Sequence, residues 1–413
     1  MDEQINYKIL KMAEESKRWM LVGIGLIINI CLGAIYAFSV FRAPLEELFD
    51  IGATQSGLPF MVFLAAFALA MPFAGNLMQK WGPKKTTMLG GFLVGAGWIL
   101  ASFAPNVEIL TVLYGVIGGI GVGIAYGCPI AVAAKWFPDK AGLAIGLTVG
   151  GFGLSALVTA PIIKHLIGVV GVMNTFLYMG VALMILIILL SIPLKFPTEG
   201  WKPTEWAPSA KQASATVELN RNEMIKKPNF YALWLTYTIG CLAGLMAIGI
   251  AAPYGTTVAK ITPEVAALAV SLFAIFNFAG RPIFGSITDK FAPKNTAIMS
   301  FVLIFVASAI LYFGGEGNEL LYFVGFGILW LCLGGWLAIA PTATKIFFGT
   351  KYYGKNYGLV FTAYGVGAIG GILLSGSIKD ITGSYLGAFP IVMALAVIGL
   401  IVAFIGLKPT KRD

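Results

Sequence analysis

Arg281 is the residue whose type and setting most directly imply chemistry in this 413-residue chain. It lies deep in a long apolar stretch, flanked by Ala279, Gly280 and Pro282. An arginine at the centre of a membrane helix costs about 2.5–3.5 kcal/mol on insertion scales, so such a residue normally faces a cavity and has a partner. All 19 Asp and Glu residues fall in loops, termini or the ends of apolar stretches. None is placed to pair with Arg281 at mid-membrane, which makes a ligand the economical partner. A guanidinium fork meets a carboxylate with two parallel hydrogen bonds. The competing assignment is a structural ion pair inside the helix bundle. Asn277 lies four residues earlier, one turn away on the same helical face. Its amide suits a hydroxy acid, and equally suits orienting Arg281 or bonding a neighbouring helix.

Other reactive side chains are sparse. Cys31, Cys128, Cys241 and Cys332 each sit inside an apolar run and read as small buried hydrophobes, with no spacing for a metal or a disulfide framework. His165 is the single histidine, beside Lys164 at the end of an apolar run, and reads as a solvated residue. Gly115, Gly119, Gly123 and Gly127 recur every four residues. A nucleotide loop would need a preceding strand, so this stripe is expected to serve close helix packing, as are Gly146/Gly150 and Gly367/Gly371. No nucleophile–base pair, metal cluster or phosphate loop is present in the sequence, so neither enzyme activity nor a cofactor is expected.

The elements that must hold Arg281 follow from composition. The chain is 58% hydrophobic and 11% charged, whereas soluble domains carry about 25% charged residues. About 20 apolar residues cross a bilayer as a helix. Spans are expected near 19–41, 57–78, 86–104, 109–134, 141–163 and 171–194, and again near 229–254, 264–287, 295–314, 320–344, 356–378 and 385–407. The result is an all-α membrane protein of 12 transmembrane helices. It comprises a six-helix bundle at 19–195, a polar linker at 196–228 and a second bundle at 229–407, with short segments at 1–18 and 408–413. The first 18 residues show no signal-peptide pattern, so the first span is expected to be retained. Of 28 Lys and Arg residues, 23 fall on the side of the termini, even-numbered loops and linker; Arg42, Lys164, Lys260 and Lys379 fall opposite. Basic residues stay cytoplasmic, which places both termini inside. The net charge of +9 is thereby a topology signal, and no nucleic-acid partner is expected.

The halves repeat. Gly75-Asn-Leu-Met-Gln79-Lys80-Trp-Gly82-Pro83-Lys84 follows the second span, and Gly285-Ser-Ile-Thr-Asp289-Lys290-Phe-Ala-Pro293-Lys294 follows the eighth, offset by 210 residues. Pro129 and Pro341 form a second pair, offset by 212. These loops resemble the signature of the major facilitator superfamily, with the acid kept as Asp289 and replaced by Gln79 in the first copy. Lys135–Ala144, Asn277–Pro282 and Lys355–Gly358 narrow the resemblance to the branch of oxalate/formate antiporters and monocarboxylate transporters. The similarity covers nearly the whole chain apart from the linker and termini.

The resemblance implies two pseudo-symmetric halves rocking about a central site, with Gly75, Lys80, Gly285, Asp289 and Lys290 in loops that stabilise one conformation. It implies that Tyr36 and Tyr126 line that site. Asn29, Gly33 and Tyr36 share one helical face; Phe361 and Tyr364 share another and offer an apolar wall, as do Leu329 and Leu333. Where the oxalate exchanger has a lysine this chain has Tyr364, and where mammalian monocarboxylate transporters have an aspartate it has Asn277. A single intramembrane cation favours a monoanion, because a second carboxylate would be desolvated unpaired. The expected function is uptake of a small monocarboxylate such as L-lactate or pyruvate across the cell membrane. Proton symport is the first reading and anion exchange the alternative. The expected partners are the anion, a proton and the lipid bilayer, with the chain acting as a monomer.

Overall fold

The computed structural model describes residues 18–198, 201–203 and 217–409. The expected N-terminal segment, the middle of the expected linker and the end of the expected tail lie outside the described residues. Within them, every regular element is a helix. Ten helices are long and apolar enough to cross a membrane. They are α1 (Arg18–Arg42), α2 (Ala53–Ala101), α3 (Val107–Trp136), α4 (Ala141–Val170), α5 (Val172–Ser191), α6 (Pro228–Thr257), α7 (Pro263–Gly314), α8 (Glu319–Phe348), α9 (Tyr353–Lys379) and α10 (Ala388–Gly406).

The count differs from the twelve spans expected because α2 and α7 are each one continuous element of 49 and 52 residues. Each contains one non-helical residue, Gly82 (φ 76°, ψ 173°) and Ala292 (φ 66°, ψ 158°). The turn at each is short enough that helical hydrogen bonding runs up to it on both sides. The two parts of α2 nonetheless run in opposite directions along α3. Gly115, Gly119 and Gly123 of α3 abut Pro59, Phe63 and Ala70 in rising order. Gly118, Gly121 and Ala125 abut Gly97, Val94 and Gly90 in falling order. The α7–α8 contact has the same form: Gly280 and Phe284 meet Leu331 and Gly335 in parallel, while Ser300 and Leu311 meet Cys332 and Gly325 antiparallel.

Local chemistry fixes the helix starts. Asn106 accepts from Ile109 N at 2.9 Å ahead of α3, and Asn318 accepts from Leu321 N at 3.0 Å ahead of α8. Each satisfies an N-terminal N–H that the helix leaves open. Apolar side chains such as Leu69, Phe73, Phe103, Phe313 and Ile369 face outward, while Asn29, Thr148, Ser155, Asn277 and Arg281 are buried. An apolar exterior around a polar interior suits lipid rather than water.

Candidate functional site

A stripe of small residues on α4 lets α7 approach closely enough to bury a cation. A Cβ on Gly142, Gly146 or Gly150 would collide with Gly285, with Arg281 or with Phe278. Gly280 plays the same part on the opposite side of α7, against the carbonyl of Leu331. In this close contact Arg281 is fully buried. One terminal nitrogen of its guanidinium donates to Val149 O of α4, and the other to Asn277 Oδ1 at 2.7 Å. Arg281 Nε and Asn277 Nδ2 are buried without a hydrogen-bond partner. No carboxylate pairs with Arg281 among the described residues. Neutral acceptors, a main-chain carbonyl and an amide oxygen, hold the guanidinium in place of an acid. Asn277 bonds Arg281 through Oδ1 and keeps Nδ2 without a partner.

An aromatic cluster lies beside the pair. Tyr36 Oη lies 2.9 Å from Tyr364 Oη, joining α1 to α9 across the molecule. Phe361 stacks on Tyr364 at 5.1 Å and meets Tyr126 at 5.3 Å. Phe152 of α4 packs edge-on against both Tyr36 and Tyr126. Phe152 is followed by Gly153, which faces Asn277 and Arg281. Tyr36, Tyr126, Phe361, Tyr364, Asn277 and Arg281 are thus brought together as one cluster.

The other expected site residues have these surroundings. Asn29 is buried and donates to Gly25 O of its own helix, with Oδ1 unpartnered. Gly33 packs against Phe152 and Ser155. Leu329 and Leu333 are buried in α8, and Leu333 lies against Gly244 of α6.

Several residues of the cluster were not singled out by sequence. Gly153 faces the pair directly: a Cβ there would lie 2.6 Å from Asn277 Oδ1. Its signal was the continuation of the Gly146/Gly150 stripe. Tyr237 and Tyr357 extend the cluster, their hydroxyls buried near one another and near Tyr126 without a hydrogen bond of normal geometry. Tyr237 stands one turn before Cys241 in an apolar run and carried no distinguishing mark.

The repeated loops hold the linker-side ends of the two halves together. Asp289 accepts from Gly142 N at 2.8 Å and Leu143 N at 3.0 Å, at the start of α4. A carboxylate there completes open N–H groups and meets the positive end of the helix dipole. Lys345 Nζ donates to Phe137 O at 2.9 Å. Gly75 abuts Gly354 as Gly285 abuts Gly142. Lys80 and Lys290 are exposed.

A lipid-facing helical bundle with a buried central cation and charged latches at one end is the architecture of a multi-pass membrane transporter. The chain belongs to the Major Facilitator Superfamily, which it matches over residues 22–261 and 238–413. It is 28% identical to the oxalate:formate antiporter of Oxalobacter formigenes, over 86% of this chain and 83% of that protein. It is 23% identical to monocarboxylate transporter 12 of Mus musculus, over 90% and 81%. In fold it resembles the E. coli fucose:proton symporter, with a TM-score of 0.71, 16% identity, and coverage of 95% of this chain and 100% of that one. The relatives are transporters rather than enzymes, and the chain is a multi-pass protein of the cell membrane.

Proposed function

We propose that this protein moves small monocarboxylates, L-lactate or pyruvate among them, by alternating access of two six-helix halves, 19–195 and 229–407. The observation that carries this reading is Arg281, fully buried and held by neutral acceptors with no carboxylate beside it among the described residues. Taking an ion out of water costs several kcal/mol unless a partner of opposite charge repays it. An incoming carboxylate supplies that charge. Arg281 Nε is a donor without a partner, and the Tyr36–Tyr364 hydroxyl pair has one proton left to donate. The non-helical residues Gly82 in α2 and Ala292 in α7 support a reading of twelve crossings, and the placement of lysine and arginine supports cytoplasmic termini.

Transport is coupled to a proton, which Asn277 does not carry because its amide has no titratable group. The names of two relatives support the substrate class: one carries oxalate and formate, the other monocarboxylates. Exchange of anions is the second reading, favoured by the antiporter relative. Uptake of radiolabelled L-lactate into proteoliposomes with a pH-sensitive dye inside separates them. Symport gives uptake driven by an inward proton gradient, with acidification of the lumen. Exchange gives uptake that ignores the gradient and requires internal anion. No uptake of any monocarboxylate in either format would overturn the proposal.

A further inference from the structure

The lipid-facing surface differs between the two halves of the repeat. A groove of about 530 Å³ runs between the first part of α2 and α3. Every residue lining it is apolar, Val62, Ala65, Ala66 and Leu77 of α2 and Ile120 and Ile124 of α3 among them. From Val62 to Leu77 a helix rises about 22 Å at about 1.5 Å per residue. That exceeds the roughly 15 Å of hydrocarbon in one leaflet. The second half fills the corresponding place. Ala65 and Ala66 correspond, 210 residues on, to Ile275 and Phe276 of α7. The Phe276 ring lies against Gly327 of α8, 3.1 Å from where a Cβ would stand.

The turns at the linker-side ends differ in the same sense. Leu77 is the last α2 residue of the groove, and Lys80, Trp81, Lys84 and Lys85 follow it around Gly82, all of them exposed. Lys80 and Trp81, three and four residues beyond Leu77, continue its helical face. Among the described residues no acid pairs with these three lysines. In the sister turn Asn295 stands where Lys85 does, and Lys294 Nζ is taken up 4.1 Å above the Phe404 ring. An open apolar groove and an unpaired basic, aromatic cap thus coincide in the first half alone.

A lining without a hydrogen-bonding side chain gives little to a water-soluble ligand, whereas an acyl chain gains dispersion contacts along its whole length. Tryptophan favours the headgroup level of a bilayer, and clustered lysines attract anionic headgroups. We propose that the groove holds one chain of an anionic phospholipid of the linker-side leaflet. Its headgroup phosphate lies among Lys80, Lys84 and Lys85, with Trp81 beside it. The site is on the outside of the bundle and does not depend on the transport reading.

The test is thermal unfolding of the purified full-length protein in detergent, with phosphatidylglycerol or phosphatidylcholine of the same acyl chains added. The expected result is a saturable rise in the midpoint with phosphatidylglycerol and a much smaller one with phosphatidylcholine. Lys80→Gln/Lys84→Gln/Lys85→Gln should need at least about tenfold more phosphatidylglycerol for half of the effect. Ala65→Trp fills the groove from its exposed side and should lose the response, with a lipid-free midpoint near that of the wild type. Lys290→Gln/Lys294→Gln, the same loss of charge at the sister turn, should respond like the wild type. The proposal is overturned if phosphatidylcholine stabilises equally well, if the response survives the three lysine substitutions, or if the sister-turn variant loses it to the same extent. A lipid-free dimer that Ala65→Trp disperses, with no response to phosphatidylglycerol, would overturn it in favour of a second copy of the chain.

Discussion

Gly153→Ala adds a single methyl group where α4 faces the Asn277–Arg281 pair. The new carbon would lie 2.6 Å from Asn277 Oδ1 and 3.2 Å from both Cζ and Nε of Arg281. Unstrained heavy-atom contacts lie near about 3.5 Å. The Asn277 amide must therefore retreat by roughly 1 Å, which breaks its 2.7 Å bond to the guanidinium. A hydrogen bond to a charged group is worth about 1.5–3 kcal/mol. Alanine over glycine in a helix returns about 1 kcal/mol, so the folded protein loses about 0.5–2 kcal/mol. Anion binding loses more, because the guanidinium is no longer held in place, and each 1.4 kcal/mol is about tenfold in affinity. Calorimetric titration of lactate, pyruvate and formate should show at least about tenfold weaker binding of the preferred anion. Gly168→Ala is the control on the same helix, where a Cβ meets nothing within 4 Å. It should leave affinity unchanged and stability equal or slightly higher. Wild-type affinity in Gly153→Ala, or equal losses in both variants, would refute the reasoning.

Further outcomes follow from the same geometry. Ala292 occupies a backbone region open essentially to glycine alone, as Gly82 does 210 residues earlier. Ala292→Gly should stabilise the protein by about 1–2 kcal/mol and Gly82→Ala should destabilise it similarly, both read by thermal unfolding. Tyr364→Lys places a second cation in the cluster beside Tyr36. It should raise the ratio of oxalate to lactate uptake, and an unchanged ratio would undermine the argument that one intramembrane cation selects a monoanion.

Much of this architecture was legible in the sequence, because each readable feature follows from a local rule. Apolar runs gave the helices, and the 210-residue repeat gave the paired turns at Gly82 and Ala292. Arg281 and Asn277 stood out because charge and amide in an apolar run demand partners, and the four-residue spacing put them on one face. What escaped notice depends on contacts between distant segments. Val149 contributes only a main-chain carbonyl, which any residue type would provide. Gly153 looked like one more packing glycine, and Tyr237 like one more apolar aromatic, until α4, α6 and α7 were placed around Arg281. Arg221 and Glu218 fasten the end of the linker to α2, α9 and the loop before it, through backbone groups that leave no trace in composition.

The claim that Arg281 binds the carboxylate is tested most directly by equilibrium binding to purified wild-type protein, Arg281→Lys and Arg281→Gln, with thermal unfolding confirming that each is folded. Removing one partner of a buried, hydrogen-bonded charge pair costs about 2–5 kcal/mol. Arg281→Gln should therefore bind the preferred monocarboxylate at least about 30-fold more weakly, with Arg281→Lys intermediate. A folded Arg281→Gln protein that binds the anion as tightly as the wild type would contradict the account.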